Sequence, residues 1–259
     1  MVLVWILLSV IIVSLISLIG ALTLVLHKNL MGKMLSFLVS FAAGAMLSTA
    51  FLNLLPEAAE MAGNGIFTTV LIGIVTFFAL ETFLNWFHCH GGHCETGTKH
   101  KHHKEHNRVE AFTLLNLAGD GIHNFIDGMI IATSFVVNIP LGIATSIAVI
   151  AHEIPQEIGD FSILVYGGLK PWRALFYNFL IQTTAIAGAL VAYFFAAGVE
   201  GFSVFLLPFA AGGFIYIATA DLLPELHHST GNFQKAIMQL VSFLVGVLVI
   251  YGVSLLNIG

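Results

Sequence analysis

The sequence predicts an all-α membrane protein of eight transmembrane helices, and three observations carry that prediction. Hydrophobic residues make up 58% of the chain and charged residues only 9%, with a mean hydropathy of +0.96; a soluble domain carries about 25% charged residues. Apolar runs close to the ~20 residues needed to cross a bilayer recur along the chain. The nine basic residues are confined to alternate connections, as expected of a chain threaded back and forth through a membrane.

In order, the spans are 3–26, 34–55, 66–87, 111–136, 142–168, 172–197, 203–223 and 236–257. Their connections are short except for 88–110, and no stretch reads as a soluble domain, so 1–259 is one transmembrane unit. The first span lacks a basic leader and is longer than an apolar signal core, which favours a membrane helix. Lys28 and Lys33 follow span one; Lys99, Lys101, Lys104 and Arg108 follow span three; Lys170 and Arg173 follow span five; Lys235 precedes span eight. Placing these loops in the cytoplasm puts both termini outside. Nothing in this composition points to a nucleic-acid partner; the lipid bilayer is the expected environment, in the plasma or inner membrane of a cell.

An internal match adds a second level of organisation. Residues 41–57 read FAAGAMLSTAFLNLLPE and residues 209–225 read FAAGGFIYIATADLLPE, aligned without a gap and identical at nine of seventeen positions. In the topology above, span two runs outward and span seven inward, so the motif ends at opposite faces, at Glu57 and Glu225. Such an inverted repeat is characteristic of secondary transporters. It gives a 3+2+3 arrangement with spans four and five in the centre.

The unusual residues are in those two spans. Span four contains GDGIHNFIDGM, in which Asp120, His123 and Asp127 share a helical face with Asn124 beside them. Span five contains AHEIPQEIGD, in which His152, Gln156 and Asp160 form one stripe. Glu153 and Glu157 form another, turned by about 100°. Pro155 removes one backbone donor and frees the carbonyl of Ala151.

A carboxylate at the bilayer centre costs about 2.5–3.5 kcal/mol even on the lenient insertion scale. Neither span holds a Lys or Arg, so protons or a bound cation must neutralise the acidic groups. Imidazole nitrogen with carboxylate and amide oxygen suits Zn²⁺, with Fe²⁺, Mn²⁺ and Cd²⁺ as related choices. No organic cofactor is implied. Other polar residues extend the line. Met46, Asn53 and Glu57 climb span two toward the outer face, while Glu81, Asp120, Asp160, Asp221 and Glu225 lead toward the cytoplasm.

The 88–110 loop, HCHGGHCETGTKHKHHKEH over most of its length, holds seven of the twelve histidines and both cysteines. His88, Cys89, His90, His93 and Cys94 are candidate metal ligands in a polar, glycine-containing tract with no core of its own. A cytoplasmic location argues against a disulfide between Cys89 and Cys94.

HNFIDG at 123–128 and HEIPQEIGD at 152–160 closely resemble the paired motifs of the ZIP (Zrt-, Irt-like) divalent metal transporters. The resemblance extends over essentially the whole chain, including the His-rich loop and the LLPE ends of spans two and seven. It implies uptake of zinc or a related ion into the cytoplasm between spans four and five. His123, Asp127, His152 and Gln156 would serve one metal position, Asn124 and Glu153 an adjoining one, and Met46 would contribute from span two. Relatives of this kind move a helix bundle against a scaffold, often as homodimers. Gln156 departs from the histidine or carboxylate that many relatives carry, and TAIAGAL at 184–190 lacks the glutamate some of them place in span six.

The rival reading is an intramembrane zinc hydrolase, because HEIPQ begins like HExxH. The second histidine is replaced by Gln156, and a proline interrupts the segment, which disfavours a closed zinc triad. The sequence is therefore read as a transporter and not an enzyme. A metal sensor built on the loop would leave the acidic file and the repeat unexplained.

Overall fold

The computed structural model describes residues 1–19, 28–90, 111–166, 168–198, 201–224, 226 and 233–255. Among the described residues there is no strand. The helices are α1 (Val2–Ile16), α2 (Lys28–Thr49), α3 (Leu55–Ala62), α4 (Ile66–His90), α5 (Ala111–Val137), α6 (Ile139–Tyr166), α7 (Pro171–Gln182), α8 (Thr184–Gly198), α9 (Phe202–Tyr216) and α10 (Phe233–Leu255). Among the described residues, six helical stretches are long and apolar enough to cross a membrane: Val2–Ile19, Leu35–Ala62, Ile66–Phe83, Pro171–Phe195, Phe202–Leu222 and Phe233–Leu255. The predicted spans four and five are also helical, 27 and 28 residues long. Their length, about 40 Å at 1.5 Å per residue, exceeds the ~30 Å hydrocarbon core. Their polar centres keep them out of the purely apolar class.

Local chemistry explains where elements begin and bend. Span five starts at Ile139, three residues before the predicted 142. There Asn138 acts as an N-cap, its Oδ1 accepting from the Leu141 N–H at 2.8 Å. Pro171 opens α7 behind an extended Lys170, the position where a missing N–H does least harm. Span six is split at Thr183, between α7 and α8.

Spans two and seven each contain a π-helical turn, Ala50–Leu54 and Ile217–Leu222. In each, an i+5 bond closes the wide turn: Leu55 N–H to the Ala50 carbonyl, and Leu223 N–H to the Ala218 carbonyl. Pro56 and Pro224 follow immediately. A proline at these positions cannot give an N–H to the carbonyl four residues earlier, and a π turn is one way a helix absorbs such a loss.

Helix packing repeats in the same register. The most extensive contacts join α5 to α8, α2 to α10, and α4 to α9. Glycine lets backbones meet at each. A Cβ on Gly44 would lie 2.2 Å from the Phe243 carbonyl oxygen, and one on Gly246 would lie 2.3 Å from that of Phe41. In α4 and α9, a Cβ on Gly212 would lie 2.2 Å from the Val70 oxygen and one on Gly73 would lie 2.3 Å from that of Phe209. The sequence match aligns Phe41 with Phe209 and Gly44 with Gly212, so the two pairs make equivalent contacts. This is the small-residue packing that membrane helices use in the absence of an aqueous driving force.

The centre of the fold is α6, which contacts α1, α2, α5, α7 and α10. Apolar side chains point outward along the peripheral helices, such as Leu8 and Ile11 on α1 and Leu240, Leu244 and Leu248 on α10. A patch of this extent would be a liability in water and is the expected lipid-facing surface of a bilayer protein.

Candidate metal centre

The α5–α6 pair brings four side chains to one point. The coordinating atoms of His123, Asp127, His152 and Glu153 all lie within 4.8 Å of one another. His123 Nε2 is 3.2 Å from His152 Nε2, 3.7 Å from Asp127 Oδ2 and 3.5 Å from Glu153 Oε1. His152 Nε2 is 3.1 Å from Asp127 Oδ2 and 3.4 Å from Glu153 Oε1. Nitrogen and oxygen ligands at the corners of a zinc tetrahedron, about 2.0–2.2 Å from the ion, stand about 3.3–3.6 Å apart. The spacing of this group suits such an ion with little rearrangement.

The tautomer of His152 is set by its surroundings. Its Nδ1 lies 3.1 Å from the Ala148 carbonyl oxygen. A carbonyl only accepts, so Nδ1 carries a proton and Nε2 is the nitrogen left to ligate an ion, the arrangement metal-ligating histidines use. His152 packs edge-on against Phe214 of α9, and His123 against Phe77 of α4, with centroids 6.3 and 6.5 Å apart. The side chains of Asp127, His152 and Glu153 are buried, while that of His123 keeps 18% exposure. His123 is therefore the side of the cluster closest to an opening.

The remaining predicted residues occupy other places. Gln156 donates to Asp120 Oδ1 at 3.3 Å, and Asn124 donates to the Asp120 carbonyl and to its Oδ1 at 2.9 and 2.7 Å. Both amide nitrogens thus engage Asp120. Glu153, expected at an adjoining position, lies within the four-residue group. Glu157 accepts from Asn178, and Asp160 accepts from Asn116 at 2.9 Å. Met46 is fully buried in the main apolar core. Asn53 accepts from the Ser254 hydroxyl at 2.9 Å, Glu57 is half-buried on α3, Glu81 accepts from the Tyr216 hydroxyl, and Asp221 is exposed. Glu225, His93 and Cys94 lie outside the described residues, as do the side chains of His88, Cys89 and His90.

Sequence reasoning missed three amides and two rings: Asn116, Asn178, Gln182, Phe77 and Phe214. Asn178 and Gln182 were within reach, since they stand four residues apart in the otherwise apolar FYNFLIQ. The rings carry no comparable signal, because a phenylalanine beside a site and one beside lipid look alike in sequence.

Imidazoles and carboxylates gathered between two long helices, inside a bundle of membrane-length helices, define a polytopic membrane protein with a cluster of groups able to hold a cation. The sequence pattern of the family described as ZIP Zinc transporter matches residues 2–111 and 88–254, and the chain belongs to that family. It is 35% identical over 238 residues to zinc transporter ZIP13 of Pongo abelii, covering 84% of this chain and 66% of that protein. Zinc transporter zipt-7.2 of Caenorhabditis elegans is 31% identical over 274 residues, covering 86% of this chain and 59% of that one. Zinc transporter SLC39A7 of Rattus norvegicus is 31% identical over 307 residues, with 85% and 64% covered. The chain thus spans about three fifths to two thirds of the length of these relatives. They are named as transporters, and a hydrolase finds no support among them.

Proposed function

We propose that this chain carries divalent metal ions, zinc foremost, across a bilayer into the cytoplasm, through a site formed by His123, Asp127, His152 and Glu153. The observation that carries the reading is the convergence of two imidazole nitrogens and two carboxylate oxygens on one buried point. Two carboxylates on helices that contain no Lys or Arg balance the charge of one divalent ion. The names of these relatives, all zinc transporters, support zinc over Fe²⁺, Mn²⁺ or Cd²⁺.

The equivalent packing of α2 with α10 and of α9 with α4 supports an inverted repeat, and with it an eight-span 3+2+3 topology with both termini outside. In that topology Asn53 and Glu57 lie on the outer approach, and Glu81, Asp120, Asp160 and Asp221 on the inner one. Asn124, Gln156 and Glu157 line the next turn below the ion. A membrane potential negative inside favours entry of a divalent ion by about 4.6 kcal/mol per 100 mV, twice the unit-charge value, when no other charge moves with it.

The test is ⁶⁵Zn²⁺ uptake into proteoliposomes by wild type and by His152→Ala and Glu153→Ala, with excess Cd²⁺, Fe²⁺ and Mn²⁺ as competitors. Saturable uptake by wild type and its loss in both folded variants is expected. Unchanged uptake in both variants would remove the site assignment, and no uptake by wild type would remove the transport reading.

A further inference from the structure

Four of the five buried carboxylates among the described residues, all but the ion-facing Asp127, share a feature that an ion alone does not explain. Each of the four is held by a neutral carboxamide. Gln182 Nε2 donates to Glu153 Oε2 at 2.6 Å, Asn178 Nδ2 to Glu157 Oε2, Asn116 Nδ2 to Asp160 Oδ1 at 2.9 Å, and Asn124 Nδ2 to Asp120 Oδ1 at 2.7 Å. Gln182 and Asn178 are one turn apart on α7, as Glu153 and Glu157 are on α6, so the two helices meet in register. In all four carboxylates the other oxygen is buried and has no hydrogen-bond partner among the described residues.

For Glu153 this division of labour is specific. Oε2 is taken by Gln182, and the bare Oε1 is the atom that faces His123 and His152. Gln182 is itself fixed. It is fully buried, it closes α7 just before the break at Thr183, and its backbone carbonyl accepts from the Ser14 hydroxyl of α1 at 3.2 Å. A hydrogen bond to a charged group is stronger than one between neutral groups, and an unpartnered carboxylate is costly inside a bilayer. The amide thus offsets part of the burial cost without contributing any positive charge.

Building on the proposed ion site, we propose that Gln182 is its positioning residue: it orients Glu153 so that Oε1 faces the ion, and its neutrality leaves the charge of that carboxylate for the ion to balance. A lysine in its place would also satisfy Glu153, but as a resident cation it would displace the divalent one. An apolar side chain of the same length would leave Glu153 unheld. The two substitutions separate a positioning role from a merely structural one, because a structural role is served as well or better by a Lys–Glu pair.

The experiment uses the full chain purified in detergent, with Zn²⁺ affinity measured by competition with a fluorescent chelator. Thermal unfolding without metal provides the fold control. Wild type is compared with Gln182→Lys and Gln182→Met. The expected result is a metal-free unfolding temperature close to wild type for Gln182→Lys with Zn²⁺ affinity lowered at least ~100-fold, and a ~10-fold loss for Gln182→Met. Wild-type affinity in a folded Gln182→Lys would overturn the proposal. Failure of both variants to fold would also overturn it, by making the residue structural. Absence of Zn²⁺ binding by wild type would instead overturn the site on which the inference rests.

Discussion

The helix pairs α2·α10 and α4·α9 have the same backbone contacts and different polar ends. Gly44 and Gly246 lock the first pair, Gly212 and Gly73 the second, at matching distances. Each repeat-bearing helix widens into a π turn just before a proline. Yet where the first pair ends in Asn53 with the Ser254 hydroxyl, the second ends in Asp221 near Glu81, whose carboxylate accepts from Tyr216. By the offset that relates the glycines, Ser254 corresponds to Glu81. The two pairs share small residues where backbone meets backbone, while the side chains at their ends differ, neutral in one and acidic in the other. A close backbone crossing admits only a small residue; the ends carry no such steric limit.

The largest expected effect comes from breaking the framework itself. Gly44→Val and Gly212→Val each force a Cβ and two methyls against a backbone carbonyl that cannot rotate away. Overpacking costs typically 1–3 kcal/mol, and more where the neighbour is backbone. Thermal unfolding in detergent should fall for both variants by similar amounts. A marked drop in only one would show that the two pairs are not equivalent supports.

A smaller effect is expected from making the ends alike. Asp221→Asn removes one carboxylate from the acidic end and should slow zinc uptake several-fold with little change in unfolding temperature. Asn53→Asp, which adds one to the neutral end, should disturb uptake less, because Ser254 can donate to a carboxylate as readily as to an amide. Uptake assays on the paired variants decide this, and equal effects of the two would dissolve the functional contrast drawn between the ends.

The smallest effect concerns the π turns. Pro56→Ala restores an N–H four residues after the Leu52 carbonyl, so the wide turn at Ala50–Leu54 should tighten toward α with a stability change below about 1 kcal/mol. A structure of the variant that retains the π turn would show that tertiary packing, and not the proline, holds it open.

By itself the sequence determined the membrane class, the helical stretches and the two polar motifs, because apolar length, basic-loop alternation and helical spacing are local properties of a chain. It also showed that residues 41–57 and 209–225 match. The helices they pack against share only a Leu and a Gly between 68–75 and 241–248, so their equivalence appears only in the folded contacts; a close crossing constrains one small residue and leaves its neighbours free. The same limit applies at the centre. Spacing placed His123 and Asp127 on one face, and His152 beside Glu153, but it could not say that Glu153 joins the histidines while Gln156 turns to Asp120. That choice was made between helices: Gln182 takes one oxygen of Glu153 from α7 and leaves the other facing the two imidazoles.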